Sequence, residues 1–308
     1  MKISLLEPIG IPEEMVREPA AGFERGGHSF TYYDVKTTDV EELKRRSAGQ
    51  DIVMIANNPY PNEVVEAADS LKMIAVAFTG IDHVGLDACR KKGVTVCNCA
   101  GYSNQSVAEL AVGMVIELLR MLRKCDEAAR TGLTGAGLTG GEIAGKTVGI
   151  VGCGKIGFCT AKLFAAFGAK VLAYSRHAQP EWEEAGIEAA ELDELLSRSD
   201  IVSLHVPLND TTRGFMSAER IAKMKDGAIL INCARGPVVD NSALADALNS
   251  GKLSAAGIDV FDMEPPIPED YPLLHAKNTL LTPHVAFATK ESRAKIEIDN
   301  VSAYLQGK

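Results

Sequence analysis

The chain has 308 residues, 46% of them hydrophobic and 24% charged, with a formal net charge of −9. This composition is that of a globular protein of about two domains, and the acidic balance disfavours nucleic acid and acidic membrane surfaces as partners. No stretch approaches the roughly 20 apolar residues of a membrane span, and residues 1–14 lack the long apolar core and small-residue cleavage site of a signal peptide.

Strand signals come first. KISLLEP (residues 2–8) is a short apolar run that stops at a proline, and residues 51–57, 72–78 and 94–98 follow it as further apolar strands. Amphipathic helical patterns at 40–49 and 62–71 lie between them. Alternating strands and helices predict βαβ units and a parallel sheet. Residues 106–132 read as one long helix, apolar on most faces for its first four turns and so buried in a core or a subunit interface. A glycine- and threonine-rich loop at 132–146 leads into a second, clearer series. It has strands at 146–152, 170–175, 200–207, 228–234, 254–261 and 279–284. Helices fall at 156–168, 191–199, 217–227 and 241–251, and a last helix at 290–305 closes the chain by crossing back to the first lobe. There is no tandem repeat and no low-complexity tract.

Seven cysteines without a second close pair predict neither a disulfide framework nor a metal site. They predict a reduced, cytoplasmic protein, with Cys153 and Cys233 as small buried filler.

GIVGCGKIG carries Gly152-x-Gly154-x-x-Gly157 between a strand and a helix, the context that a dinucleotide fingerprint requires. The first glycine makes the tight turn, the second admits the pyrophosphate to the backbone, and the third lets helix and strand pack closely. Lys155 and Ile156 open the helix, whose N–H groups face the pyrophosphate. The next strand should end in an acid that binds the ribose hydroxyls of NAD. Ser175, Arg176 and His177 stand there instead. A serine leaves room for a 2′-phosphate, and an arginine gives it charge-assisted contacts. This predicts NADP(H) as the preferred cofactor, with NAD(H) possible.

Five ordered segments, GYSNQSVAEL, VGCGKIG, HVPLNDTTRGFM, INCARGPVVD and GIDVFDMEP with TPHVA after it, resemble the D-2-hydroxyacid dehydrogenase family. The resemblance covers nearly the whole chain and is best from Gly101 to Ala288. It implies a catalytic set of Arg235, Glu264 and His284. In that set an imidazole near its working pH passes a proton, a carboxylate holds the ring, and an arginine anchors the substrate carboxylate and polarises its carbonyl. It also implies cofactor contacts at Val206, Pro207 and Thr212, at Cys233, Ala234 and Ala286, and at Asp259, which would accept from the carboxamide. Substrate contacts would come from Thr79, Gly80 and Ile81, with Asn57 and Asn58 in a second loop. Three positions depart from the family pattern: Phe78 and Ala286 replace glycines, and Gly85 replaces an aspartate. Phe78 either narrows the pocket towards a small acid or packs in the core. The Asn57 loop has no arginine to hold a phosphorylated substrate.

The expectation is an α/β protein of two doubly wound parallel-sheet lobes. A Rossmann-type cofactor domain (100–284) is inserted into a flavodoxin-like substrate domain (1–99 plus 285–308), with a cleft between them. The implied activity is NADP(H)-preferring reduction of a small 2-oxo acid, glyoxylate or hydroxypyruvate, by a homodimer joined through the helix at 107–122. The alternatives are an NAD-dependent phosphoglycerate- or phosphite-type dehydrogenase, and a dinucleotide-sensing binding protein of the same fold.

Overall fold

The computed structural model describes residues 1–10, 12–177, 179–263, 266–293, 301, 304 and 305. The chain divides into two compact units, Met1–Ser103 with Thr289–Lys308, and Asn104–Ala288. The junctions fall a few residues beyond those read from the sequence.

The first unit holds β1 (Lys2–Leu5), β2 (Ser29–Tyr32), β3 (Ile52–Ile55), β4 (Met73–Val76) and β5 (Thr95–Asn98). All pair in parallel, in the order β2-β1-β3-β4-β5. This is the flavodoxin-like order. β3 and β4 are buried along their whole length, which is why they read as unbroken apolar runs rather than alternating ones. The edge strand β2 was not anticipated, since SFTY alternates exposed and half-buried residues between polar flanks. Two helices were also missed, Glu13–Arg25 and Leu86–Lys92. Pro19 and Gly22 mask the first by lowering its apparent helix propensity.

Gly85 is the N-cap of the Leu86–Lys92 helix, and a Cβ there would lie 2.4 Å from the Asn62 nitrogen. The Asn62 side chain accepts instead from the Ala88 amide at 3.1 Å, which satisfies a first-turn N–H of the helix. The glycine in place of an aspartate is thus matched by a cap supplied from another segment.

The second unit holds β6 (Thr147–Val151), β7 (Lys170–Tyr174), β8 (Glu188–Ala189), β9 (Ile201–Leu204), β10 (Ala228–Asn232), β11 (Leu253–Ile258) and β12 (Thr279–Leu281). They form one parallel sheet in the order β12-β11-β10-β9-β6-β7-β8. Counted from β6, this is the Rossmann order with a further strand added.

The expected single helix over 106–132 is two helices, Asn104–Arg120 and Leu122–Arg130, broken at Met121 with φ 51°. The Leu119 carbonyl, which a continuous helix would use, accepts from Gly141 N at 3.0 Å. Val107, Ala111, Met114 and Val115 pack into the unit's own core with Ile150, Phe164 and Ile231. An internal core therefore accounts for much of the apolar face on which the dimer expectation rested. The closing helix is seen over Lys290–Arg293; most of the rest of 290–305 lies outside the described residues. Among the described residues no helix is long and apolar enough to cross a membrane.

Placing an aspartate at position 85 drives a side chain into the Asn62 backbone. Gly85→Asp should therefore lower stability by about 1–3 kcal/mol, read as a reduced urea midpoint.

Candidate active site

The glycine turn joins β6 to the helix Lys155–Ala166. Gly152 has φ 91°, and a Cβ on it would meet His205 and Val206 at 2.7–2.8 Å. Gly157 faces Gly152 O at 2.4 Å from its missing Cβ, so helix and strand touch there through backbone alone. Gly154 has only open space around its missing Cβ, and as N-cap it gives the helix no side-chain cap. First-turn N–H groups left uncapped beside open space fit a pyrophosphate. Cys153 is buried within the turn, and burial pushes its thiol up to about 12.

Ser175, Arg176 and His177 follow β7 directly, the first half-buried and the other two exposed. Neither Arg176 nor His177 has a side-chain partner among the described residues. Val206 and Pro207 follow β9, and Thr212 braces them by donating to Pro207 O at 2.6 Å. The carboxyl ends of β7, β6 and β9 thus carry the residues expected to meet the adenosine and pyrophosphate of a dinucleotide.

The residues expected to carry the chemistry follow the other strands of the same sheet, out to its edge strand β12. Arg235 follows β10, Asp259 follows β11, and His284 follows β12. Sequence reading missed the residue that sets Arg235 in place. Asn232 is fully buried, donates from Nδ2 to Arg235 O at 3.0 Å and accepts from Ala234 N at 3.0 Å. The signal was present as the asparagine three positions before the arginine. Arg235 Nη1 donates to Ala234 O at 2.8 Å. The next residue, Gly236, lies so close to the Phe261 carbonyl that a Cβ would be 1.8 Å away. Asn241 and Tyr271 hold Asp262 beyond it, at 2.7 and 3.1 Å. Cys233 and Ala234 lie between β10 and Arg235, with Cys233 Sγ buried at 4.0 Å from Met114 Sδ. Glu264 lies outside the described residues.

Asp259 has a task beyond the one expected. Its carboxylate is fully buried and accepts from Thr282 Oγ1, from Val285 N at 2.9 Å and from Ala286 N at 2.9 Å. Burial raises its pKa, while these three donors and the charge of His284 act in the opposite direction. The contact with a carboxamide expected from the sequence is a separate matter from these three bonds, which the folded chain makes by itself. The backbone carbonyl of Asp259 also accepts from His284 N at 2.7 Å. Together these contacts hold His284 at φ 54°, a left-handed conformation that is uncommon for a non-glycine residue. The ring rests edge-on against Phe287 at 5.4 Å between centroids.

In the first unit the residues expected to form the substrate loops sit at the carboxyl edge of the five-stranded sheet. Phe78, Thr79, Gly80 and Ile81 follow β4, and Asn57 and Asn58 follow β3. Phe78 stacks on the buried Tyr102 at 5.8 Å. Asn98 Nδ2 donates to Thr79 O at 2.6 Å, and Thr79 Oγ1 is buried without a partner.

A sheet of Rossmann order with an uncapped glycine turn after its first strand is the architecture of dinucleotide-dependent oxidoreductases. Sequence comparison narrows that class. The family model for the D-isomer specific 2-hydroxyacid dehydrogenase NAD binding domain matches residues 112–286. The chain belongs to the D-isomer specific 2-hydroxyacid dehydrogenase family, and it is an NAD(P)-dependent oxidoreductase. It is 38% identical over 296 residues to a hydroxypyruvate reductase of Blautia hydrogenotrophica, covering 93% of this chain and 92% of the relative. It is 40% identical over 278 residues to a glyoxylate reductase of Thermofilum pendens, covering 87% and 82%. Among solved structures, an acyclic imino acid reductase (Bsp5) in complex with NADPH and D-Arg superposes with a TM-score of 0.89 at 29% identity, over 100% of this chain and 98% of that one.

His205 follows β9 and bonds through Nε2 to Ser203 Oγ at 2.9 Å, while its Nδ1 is buried without a partner. Burial pushes its pKa down to about 4. An unfolded imidazole titrates near 6.5, so between these values the unfolded chain binds a proton that the folded chain does not. Stability should therefore fall as pH drops from about 6.5 to about 4, by at most about 3 kcal/mol from this residue. Urea midpoints at pH 7 and 5 should lie closer together in His205→Gln than in the wild type.

Proposed function

We propose that the protein is an NADP(H)-preferring D-2-hydroxyacid dehydrogenase that reduces a small 2-oxo acid, glyoxylate or hydroxypyruvate, with His284 as the acid. The observation that carries this reading is the order of groups along one sheet edge. A dinucleotide cradle on β7, β6 and β9 adjoins an arginine, a buried carboxylate and a histidine on β10, β11 and β12. The names of the relatives support the substrate class.

Reduction of a 2-oxo acid adds two electrons and a proton to the carbonyl carbon and a second proton to its oxygen. Cys233 and Ala234 would lie beside a bound nicotinamide, which would supply the electron pair and the first proton as hydride. Arg235 binds the substrate carboxylate and draws charge towards the carbonyl oxygen. His284 donates the second proton to that oxygen and, in the reverse direction, takes it from the hydroxyl. By its position in the family pattern, Glu264 is the carboxylate that would pair with His284. Asp259 fixes the loop so that the imidazole does not have to be ordered at each turnover.

The cofactor preference rests on Ser175, Arg176 and His177. Ser175 rather than a carboxylate stands at the end of β7, and the Arg176 guanidinium and the His177 ring beside it are exposed, with no side-chain partner among the described residues. The same reading makes the protein a cytoplasmic homodimer, with Ile116, Leu119 and the 48%-exposed Phe167 as an apolar patch for the partner.

Two variants test the assignment by loss of nicotinamide absorbance. His284→Ala should lower kcat by about 10²–10⁴-fold and leave dinucleotide affinity nearly intact; undiminished turnover would remove His284 from the chemistry. Arg176→Ala should raise KM for NADPH by about tenfold or more with little change for NADH. Equal losses with both would mean that Arg176 does not read the phosphate.

A further inference from the structure

The order of the first sheet reverses between β1 and β3, the place where open α/β sheets hold their ligands. Glu7 follows β1 and Asn57 follows β3 at this point. Glu7 is 1% exposed, and its Oε1 accepts from Ala56 N at 2.8 Å and Asn58 N at 3.1 Å. Its Oε2 is buried and has no hydrogen-bond partner among the described residues. The nearest cation arrives from elsewhere in the chain. Lys36 Nζ stands 3.6 Å from Glu7 Oε2 and donates to Asn57 Oδ1 at 2.9 Å. Asn58 Nδ2 donates to Thr37 O at 3.0 Å and fastens the lysine's loop to the asparagine loop.

This arrangement dictates what the loop can bind. An ammonium only donates, so the oxygen of the Asn57 amide is taken and its NH₂ group is what remains for a ligand. Lys36 is 52% exposed and has a third N–H beyond those directed at Asn57 and Glu7. The switch point therefore presents donors, and one of them is charged. A ligand group seated there must be an acceptor. The Asn57 loop lacks an arginine, yet the fold brings a cation to it.

The Thr79 loop lies one strand away, after β4. Adjacent strands are about 4.8 Å apart. A three-carbon acid bridges that distance with its carboxylate at the Thr79 loop and its C3 substituent at the Asn57 loop.

We propose that Lys36, with the Asn57 amide, reads an oxygen acceptor on C3 of the substrate, so that the enzyme favours 2-oxo acids with a 3-hydroxyl or 3-phospho-oxy group over those without one. This rests on the 2-oxo acid reading above and names the substrate class within it. Glu7 acts as a positioning residue, holding the Asn57 loop through two backbone amides and keeping the ammonium near it.

The test is the ratio of kcat/KM for hydroxypyruvate to that for pyruvate, which differ by one hydroxyl, with 3-phosphohydroxypyruvate as a third arm. In Lys36→Met the ratio should fall at least about tenfold, mainly through KM. Because that variant leaves Glu7 without its counter-charge, the double variant Glu7→Gln/Lys36→Met is measured beside it and should show the same fall. Lys36→Arg should retain part of the preference. A greater loss for 3-phosphohydroxypyruvate assigns the site to a phosphate, and a greater loss for hydroxypyruvate assigns it to the hydroxyl. An unchanged ratio in both Met variants, whatever the absolute rates, would overturn the proposal while leaving the 2-oxo acid reading standing. A wild-type protein that turns over none of the three acids would overturn that reading itself.

Discussion

Parallel pairing places the carboxyl ends of all neighbouring strands on one edge of a sheet, and both units obey this constraint. Parallel strands are buried on both faces, so their side chains serve the core and are unavailable to ligands. What remains for function is the set of turns where strands stop. In the second unit these turns follow one another as Ser175 after β7, Gly152 after β6, Val206 after β9, Arg235 after β10, Asp259 after β11 and His284 after β12. Turns some 20 to 55 positions apart in sequence become neighbours along one line because the sheet orders them. On the proposed reading, ribose and pyrophosphate contacts fall after β7, β6 and β9, and the arginine and histidine of the chemistry fall after β10 and β12.

A turn at a strand end must still be held, and both units use the same device. A carboxylate just past one strand is buried and accepts backbone N–H groups from the loop past the adjacent strand. Asp259, beyond β11, takes Val285 and Ala286 beyond β12. Glu7, beyond β1, takes Ala56 and Asn58 beyond β3. Taking a carboxylate out of water costs several kcal/mol, and in both cases burial is the first cause of a raised pKa. Backbone N–H donors offset that cost only if they converge on the carboxylate, so the loop has one geometry that satisfies it. At His284 that geometry includes a left-handed residue, which the surrounding bonds over-determine.

Much of this was legible in the sequence. Apolar runs and the glycine turn gave the second sheet nearly strand by strand, and the short motifs located Arg235 and His284. The gaps have physical causes. β2 is an edge strand with half its residues exposed, so it carries no apolar run. The break at Met121 comes from a competing bond to the Leu119 carbonyl, which originates some twenty residues later in the chain, at Gly141. Gly85 looked like a departure from a pattern until Asn62, from a different segment, proved to occupy its space. Lys36 was invisible as a site residue because its neighbour Asn57 is 21 positions away. In each case the missing information is a contact between distant segments, which periodicity and spacing do not encode.

The same contacts divide the polar groups of the edge into two kinds. Asn232, Thr212, Asp259 and Glu7 are engaged with the protein's own backbone, and folding fixes their geometry before any ligand arrives. Arg176, His177 and the Thr79 hydroxyl have no partner among the described residues. A buried hydroxyl left unpaired lowers stability by about 1–3 kcal/mol, and an exposed arginine gains nothing from the fold. Such groups acquire an energetic role only when a ligand meets them. The rigid set therefore determines where a ligand's reacting atoms sit, and the uncommitted set determines which ligand is stabilised there. On the proposed reading, this division lets one scaffold keep the loops of Arg235 and His284 fixed while an exposed side chain such as Arg176 sets the cofactor preference.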